Sequence, residues 1–421
     1  MSDHVQIRMY NVGFGDCFLL VLPDKRTILL DSGFHSQGKG KFGGNDLAAQ
    51  IIKDLKEVRG EARIDVVIAT HRHQDHVYAF NAEKWSEVAV GEVWLPWVED
   101  RSNPQAQRLW KKQMKFAMQF AEALPGFNLS NEDRSVIEFM LWNSGTTIPG
   151  FELDGWSNAG ALDCLHQGFS RRDRAKPRFL PEKVAFPESF ESPALPGVTV
   201  HVLGPPRDPE LIEELDPESD GETYRALALR AAMAGAALPG AQRVPSPFGE
   251  AWHVPDDAPG FSLEADEVER LGVLAQGVDA LMAAEKLDGM INSTSLVLML
   301  EIGKAKLLLP GDAEWGTWKR ILANEDVRTL LRGTTFLKVG HHGSHNATAK
   351  TLVQKVLRRK IPAMISTQEG PGNYRNNIPL KDLLTAMTDH GIHYVRSDRT
   401  KEKLPKGFHK ATRWIDLQLP C

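Results

Sequence analysis

Four side chains that can bind metal ions fall within six residues of one another in the segment THRHQDH. They are His71, His73, Asp75 and His76, and they follow directly after the apolar run Val66–Ala69, which predicts a buried strand. In a loop that leaves a strand, alternate residues point the same way, so His71 and His73 can hold one ion. Asp75 and His76 can then face a second one. Because imidazole nitrogens and carboxylate oxygens are ligands of zinc, iron and manganese, the segment predicts a metal site rather than a solvated polar loop.

Two further polar clusters end apolar segments far along the chain. Asp312 ends the run LLLPGD, and His341 and His342 follow the predicted strand Thr335–Val339. A carboxylate at the end of a buried strand is costly unless it is hydrogen-bonded, paired or bound to metal. Taken singly, these residues are typical of turns or structural histidines. Taken together with the first cluster, they become candidate metal ligands.

Composition sets limits on the class of protein. A length of 421 residues fits one elaborated domain, or one domain with a sizeable insertion. The formal net charge of −5 excludes a surface that is basic all over, so nucleic-acid binding would need a local patch. Three widely spaced cysteines (Cys17, Cys164 and Cys421) favour a reducing compartment. With no evident signal peptide and no apolar run near the ~20 residues of a membrane helix, we expect a cytoplasmic protein without a membrane span.

The spacing of apolar residues predicts two β-rich halves flanked by helices. The first half, residues 1–97, has β-rich runs and a helix that lead to the metal-binding segment (Val5–Tyr10, Cys17–Leu22, Thr27–Leu30 and Asp46–Val58). The second half, residues 291–421, begins with a hairpin that turns at Gly303–Lys304. Residues 98–290 contain two predicted helices, Gln105–Leu124 and Glu264–Leu287, with Pro- and Gly-rich stretches between them. We therefore expect this middle region to be an insertion or cap.

In their order along the chain, the motifs HRHQDH, LLDSG (with Asp31), PGD and HHGS resemble those of the metallo-β-lactamase superfamily. The segments NVGFGDCFLLVLPDKRTILLDSG and LKVGHHGSHNAT are more narrowly similar to the soluble hydrolase domain of ComEC-type DNA-uptake proteins and their stand-alone relatives. The resemblance covers roughly residues 5–97 and 290–400. It implies an α+β fold, a four-layer αβ/βα sandwich with the site at the edge between two sheets. A large insertion would lie between the HxHxDH motif and a bridging aspartate.

The resemblance also implies roles for single residues. His71 and His73 would hold one divalent ion, Asp75 and His76 the other, both Zn or Mn, and Asp312 would bridge them. His342 would be the last ligand, with His341 as the alternative, while Asp16 and Asp31 would shape the site without binding metal. The family's further histidine before the bridging aspartate is missing from MINSTSLVLML, so the first ion would be completed by water or by His201.

Such a site predicts hydrolysis by a metal-activated water. Asp75 or Asp312 would take the proton of the water, and His345 or Lys338 would stabilise the leaving oxygen. The ComEC likeness makes a phosphodiesterase or nuclease acting on DNA or RNA the leading expectation. A basic stretch in the middle region is either a track for nucleic acid or a solvated loop, and it contains Arg171, Arg172, Arg174, Lys176 and Arg178.

Two alternatives remain open. If the insertion covers a deep apolar pocket, the expected substrate is instead a small-molecule ester, lactone or cyclic nucleotide. In the other alternative the chain is a metal-stabilised, non-catalytic subunit that binds a partner protein through the insertion.

Overall fold

Strands and helices alternate along the chain in the computed structural model, which describes residues 3–35, 40–123, 126–127, 129, 131–143, 158–167, 169, 176–215, 217, 222–223, 280–344, 346, 348–368, 378–399 and 403–421. The strands are β1 (His4–Tyr10), β2 (Cys17–Val21), β3 (Thr27–Ser32), β4 (Arg63–Ile68), β5 (Ala89–Pro96), β6 (Pro177–Leu180), β7 (Glu188–Glu191), β8 (Val198–Gly204), β9 (Val297–Ile302), β10 (Ala305–Leu309), β11 (Phe336–Lys338), β12 (Pro362–Ile365), β13 (His393–Arg396), β14 (Phe408–Lys410) and β15 (Trp414–Pro420). The helices are α1 (Gly44–Arg59), α2 (Gln74–Val77), α3 (Pro104–Ala123), α4 (Asn131–Asn143), α5 (Ala159–Gln167), α6 (Pro209–Glu213), α7 (280–292), α8 (Trp315–Ala323), α9 (Glu325–Leu331) and α10 (Lys381–Asp389).

The first sheet has the strand order β14-β15-β1-β2-β3-β4-β5-β6. Strands β3 to β6 run parallel to one another, whereas β14, β15, β1, β2 and β3 are joined by antiparallel pairing. The carboxyl ends of parallel strands lie at the same edge of a sheet. Asp31 near the end of β3 and the His71–His76 loop after β4 therefore meet at one edge.

The second sheet has the order β13-β12-β11-β10-β9-β8-β7. Here β10 to β13 are parallel, while β7, β8, β9 and β10 are antiparallel. The predicted hairpin at Gly303–Lys304 is confirmed by the pairing of β9 with β10. Asp312 follows β10 and His342 follows β11, so the second pair of motifs also meets at one edge.

The two sheets pack face to face, and helices cover their outer faces. The cluster between the sheets combines residues of β1 such as Ile7 with residues of β9 such as Leu300. The outer face of the first sheet is covered by α1, through Leu47, Ile51 and Leu55 among others. The outer face of the second sheet is covered by α8 to α10, through residues such as Trp318 and Leu383. The expected four-layer αβ/βα sandwich is confirmed.

The middle region differs from the expected division, in which residues 98–290 form an insertion. Strand β6 completes the first sheet beside β5, and β7 and β8 complete the second beside β9. Residues 177–204 thus belong to the sandwich. Strands β6 and β7 are edge strands of four residues each, too short to show a clear hydrophobic period, whereas β8 (VTVHVLG) is an inner strand with buried valines at alternate positions. The predicted helix Gln105–Leu124 is confirmed as α3. Most of the predicted helix Glu264–Leu287 lies outside the described residues, but α7 continues five residues past its predicted end.

None of the described helices combines the length with the apolar content that a helix needs to cross a bilayer.

The interior of the sandwich gives a first testable prediction. Leu300 in β9 is fully buried between the sheets, so Leu300→Ala leaves a cavity and is expected to lower the free energy of unfolding by about 2–5 kcal/mol. Val184→Ala is the control, because Val184 is 81% exposed and its truncation should cost less than about 0.5 kcal/mol. Denaturant titration of both variants measures the difference, and equal midpoints would contradict the packing described here.

Candidate metal centre

The six predicted metal ligands lie together at the edge where the two sheets meet. The Nε2 atom of His71 is 3.0 Å from Nδ1 of His73. Across the two halves of the chain, Nε2 of His76 is 3.1 Å from Oδ2 of Asp312, and Nε2 of His342 is 2.8 Å from Oδ2 of Asp75. All six residues are at most 1% exposed, so the cluster is shielded from water. That they bind metal ions remains a prediction.

His71 and His73 are present in the form that binds metals. Burial lowers the pKa of His71 well below its usual value and lowers that of His73 to about 3. Both imidazoles are therefore neutral at pH 7, and only a neutral imidazole has a lone pair to give to a cation.

The other ligands are held by hydrogen bonds on their far sides. Nδ1 of His76 donates to Oδ2 of Asp31 over 2.9 Å, and Asp31 itself accepts hydrogen bonds from the amide and the hydroxyl of Thr70. Nδ1 of His342 donates to the carbonyl oxygen of Ser366 over 2.8 Å. Such contacts fix the orientation of a metal-binding imidazole. Asp31 thus contacts the site through His76, and that it shapes the site without binding metal stays a prediction.

The chemistry of these donors fits a divalent cation. With Nδ1 of His342 donating to a carbonyl, its Nε2 is an acceptor in the neutral ring, yet it faces a carboxylate oxygen of Asp75. His76 repeats the arrangement between Asp31 and Asp312. Two acceptors at hydrogen-bonding distance repel each other unless a positive charge lies between or beside them. A divalent ion can supply this positive charge, as a proton can.

The pKa values of His76, Asp312 and Asp75 also indicate that the cluster favours positive charge. Burial alone favours neutral groups. In His76 the carboxylates of Asp312, Asp75 and Asp31 outweigh burial and raise the pKa well above its usual value. In Asp312 and Asp75 the effect of burial is outweighed by His76, with His342 also acting on Asp75, and both pKa values fall below their usual range. The carboxylates are thus ionised, as metal ligands must be.

Within each of three groups of side chains, the ligand atoms lie within 4.8 Å of one another. The first group is His71, His76 and Asp312, the second is Asp75, His76 and His342, and the third is Asp16, Asp31 and His76. The third group is already engaged by other partners, because Asp31 accepts from Thr70 and Asp16 is paired with Lys338. The first two groups are therefore the better candidates for ion sites, and His76 belongs to both.

Three residues of the centre have backbone conformations that are unusual for residues other than glycine. Asp31, His341 and His342 have φ angles of 54°, 43° and 53°, in the left-handed region that costs free energy for residues other than glycine. Such strain persists only where the surroundings enforce it, and it concentrates at functional sites.

Lys338 has a different place from the expected one. Its side chain is fully buried, forms an ion pair with Asp16, and its Nζ atom lies 3.9 Å from Oδ1 of Asp312. A lysine with these partners offsets the negative charge of the cluster. This role differs from the expected one, which is to stabilise the leaving oxygen. His345, the other residue expected to stabilise the leaving oxygen, lies outside the described residues.

The sequence did not reveal Asp288 and Asn292, which reach the centre from α7. Oδ1 of Asp288 is 3.5 Å from Nε2 of His73, and its Oδ2 is 4.0 Å from Nε2 of His341. Asn292, one turn further on, donates to Oδ2 of Asp288 over 3.0 Å. The i, i+4 spacing of these two polar residues in a helix is the signal that could have found them. Because Nδ1 of His73 faces His71, Asp288 is placed to fix the orientation of the His73 ring.

Of the two alternative ligands, His341 lies at the rim of the cluster and His201 lies elsewhere. The imidazole of His341 is 17% exposed, and its backbone amide donates to Oδ1 of Asp312 over 3.0 Å. His201 contacts Ser189 at 2.7 Å and Glu301 at 3.6 Å on the second sheet. Among the described residues, neither histidine belongs to a group whose ligand atoms converge, and the predicted ligand His73 does not belong to one either.

A cavity of about 740 Å³ opens beside Arg72, the residue between His71 and His73. Its walls come mainly from α3, α5 and α7, which lie in the region expected to form a cap. Its volume is within the range of about 300–1,000 Å³ that is typical of small-molecule sites.

Comparison with known proteins agrees with this geometry. The family model described as the metallo-beta-lactamase superfamily matches residues 10–120, which include the whole His71–His76 segment. The match covers 111 of the 421 residues, and in this part the chain is similar to the metallo-β-lactamase superfamily. This superfamily consists in general of hydrolytic enzymes that use divalent metals, typically zinc, which supports a metal-dependent hydrolase here. No curated protein matches the chain. The narrower resemblance to ComEC-type domains stays a prediction.

Gly33, in the LLDSG motif, packs so closely against the metal-binding loop that no side chain fits. A Cβ atom there would lie 2.2 Å from the carbonyl carbon of Asp75 and from the amide nitrogen of His76. We expect Gly33→Ala to displace this peptide and to lower metal affinity at least about tenfold, as disturbance of supporting groups does. Gly126→Ala is the control, because a Cβ there meets nothing within 4 Å. Metal content after gel filtration measures both, and full metal loading of Gly33→Ala would contradict the prediction.

Asp288 gives a separate prediction. Asp288→Asn keeps the shape of the side chain but replaces with an amide the carboxyl group that faces Nε2 of His73. Because this carboxyl group orients the His73 ring, we expect the affinity for the ion predicted beside His73 to fall about 10–100-fold. Competition with a chelator measures this affinity directly. Asp326→Asn, at an exposed position of α9, should leave it unchanged. Equal affinities in the two variants would remove Asp288 from the metal centre.

Proposed function

We propose that this metallo-β-lactamase-fold hydrolase cleaves a phosphodiester bond of a nucleotide or nucleic acid. The metal ligands would be His71, His73, Asp75, His76, Asp312 and His342, and two divalent ions, Zn or Mn, would bind there. The observation that carries the proposal is the pairing of carboxylates and imidazoles from both halves of the chain, with Asp75 on His342 and Asp312 on His76.

Two divalent ions, when bound, supply Lewis acidity that acidifies a water molecule, and positive charge that exceeds the charge of Asp75 and Asp312 and so suits an anionic phosphodiester. The protein's own groups supply the rest. Asp75 and Asp312 are the candidate acceptors for the proton of the attacking water. Lys338 balances the charge of Asp16, so that the carboxylates behind the ligands do not cancel the attraction for an anion.

The described part of the basic stretch adds little to this attraction. The guanidinium of Arg178 is 2.9 Å from Glu182 and 3.4 Å from Glu92, and it lies over the ring of Phe190. A cation with these partners is not free to bind a phosphate. Lys176 is exposed, while Arg171, Arg172 and Arg174 lie outside the described residues. The proposal therefore rests on the metal centre rather than on a basic track.

A second candidate function is hydrolysis of a small-molecule ester, lactone or cyclic nucleotide. The cavity beside Arg72 favours it, because its volume of about 740 Å³ suits a compact ligand. A non-catalytic, partner-binding subunit is the third reading, and it is the one that a lack of any hydrolysis would support.

Hydrolysis of bis-p-nitrophenyl phosphate and of labelled single- and double-stranded DNA and RNA, with and without Mn²⁺, tests the proposal. Bound metal is measured on the same protein. We expect Asp75→Ala to lower kcat/KM at least about 100-fold, because it removes a metal ligand and a candidate proton acceptor.

Asp389→Ala, at an exposed position at the end of α10, is the matched control and should keep full activity. Phosphodiester cleavage that survives Asp75→Ala would refute the proposed centre. Cleavage of ester or lactone probes without cleavage of phosphodiesters would favour the second candidate.

A further inference from the structure

Two buried side-chain oxygen atoms that line the cavity beside Arg72 lack a well-formed hydrogen bond among the described residues. Glu99 is 5% exposed, and its Oε1 forms an ion pair with Nη1 of Arg72 at 3.5 Å, too long for a good hydrogen bond. Asn158 is 4% exposed, and its amide nitrogen donates to the carbonyl of Arg72, but its Oδ1 has no donor among the described residues. Buried acceptors of this kind are unfavourable unless a ligand or water supplies donors. The polar end of the cavity therefore calls for a ligand that carries N–H or O–H groups.

The rest of the cavity wall is apolar and partly uncovered. Trp110 is 42% exposed and Met114 is 37% exposed, both on the cavity side of α3. Leu287 and Ile291, one turn apart on α7, face them across the cavity. The guanidinium of Arg72 lies over the Trp110 ring, 4.9 Å from its centroid, and this holds the indole in place. A flat, apolar ligand face would cover these side chains, because aromatic rings and methionine both pack well against planar rings.

The cavity and the metal centre share their walls. Arg72 stands between the candidate ligands His71 and His73, and its side chain forms part of the cavity. On α7, Leu287 and Ile291 line the cavity, while Asp288 faces His73 and His341. A single ligand can therefore occupy the cavity and extend to the metal centre.

We propose that this cavity binds a nucleobase that carries an amino group, as part of the substrate whose phosphodiester is cleaved at the adjacent centre. This inference rests on the proposed function and names the part of the substrate that is recognised. Adenine, cytosine and guanine offer amino hydrogens to the two acceptor oxygens, and every base offers a flat face to Trp110. An acyl chain would fill the apolar part but would give no hydrogen bond to Oδ1 of Asn158 or to Oε1 of Glu99.

Calorimetric titration of the metal-loaded full chain with AMP, CMP, GMP, UMP and ribose 5-phosphate tests the proposal without turnover. We expect the amino-bearing nucleotides to bind at least about tenfold more tightly than ribose 5-phosphate, and more tightly than UMP. Trp110→Ala should weaken AMP binding about tenfold or more, and Trp110→Phe should restore most of it. Met118→Ala is the matched control, because Met118 is 55% exposed on the same helix and does not line the cavity.

Steady-state kinetics give an independent readout. Trp110→Ala should raise KM for a dinucleotide with little change in kcat, and Met118→Ala should leave both constants unchanged. Equal affinity for AMP and ribose 5-phosphate, or AMP binding that is unaffected by Trp110→Ala, would overturn the base site even if phosphodiesters are cleaved. Base-dependent binding in a protein that cleaves no phosphodiester would uphold the site and refute the proposed function instead.

Discussion

Two carboxylates and four imidazoles are buried within hydrogen-bonding distance of one another, and the free-energy cost of desolvating them constrains everything around them. Such a cluster is stable only if each group finds a partner of opposite or complementary charge. The surroundings supply several of these partners. Thr70 donates twice to Asp31, Ser366 accepts from His342, and Lys338 pairs with Asp16. Divalent cations would supply the positive charge that the facing acceptor atoms still require.

This constraint explains why the centre lies where the two sheets meet. The first sheet contributes Asp31 and the loop after β4, and the second contributes Asp312 and His342 from the loops after β10 and β11. Neither half contains a complete set of ligands. The close pairs between Asp75 and His342 and between His76 and Asp312 join the halves. Assembly of the centre therefore requires the two halves to be packed together, and bound metal would stabilise the folded state through the same contacts.

Helix α7 links the centre to the cavity because residues one turn apart lie on the same helical face. Asp288 and Asn292 face the histidines, while Leu287 and Ile291 line the cavity next to them. A change in the position of this helix would alter the surroundings of His73 and the shape of the cavity together. Under the proposed function, recognition of the substrate and orientation of a metal ligand would both depend on this helix.

The sequence by itself predicted the four-layer fold and six residues that converge, because dense ligand motifs such as His71 to His76 follow strands whose apolar patterns are strong and local. It did not predict that strands β6 to β8 complete the sandwich. Strands β6 and β7 are too short to show a hydrophobic period, and the alternating pattern of β8 does not say which sheet the strand joins. Nor did it predict Asp288 as a neighbour of His73, because the i, i+4 spacing with Asn292 indicates a polar helix face but not what that face contacts. Only the tertiary structure decided these points, together with the burial of Lys338 and the cavity beside Arg72. These features depend on contacts between segments that are distant in sequence, and the local spacing of residues does not reveal such contacts.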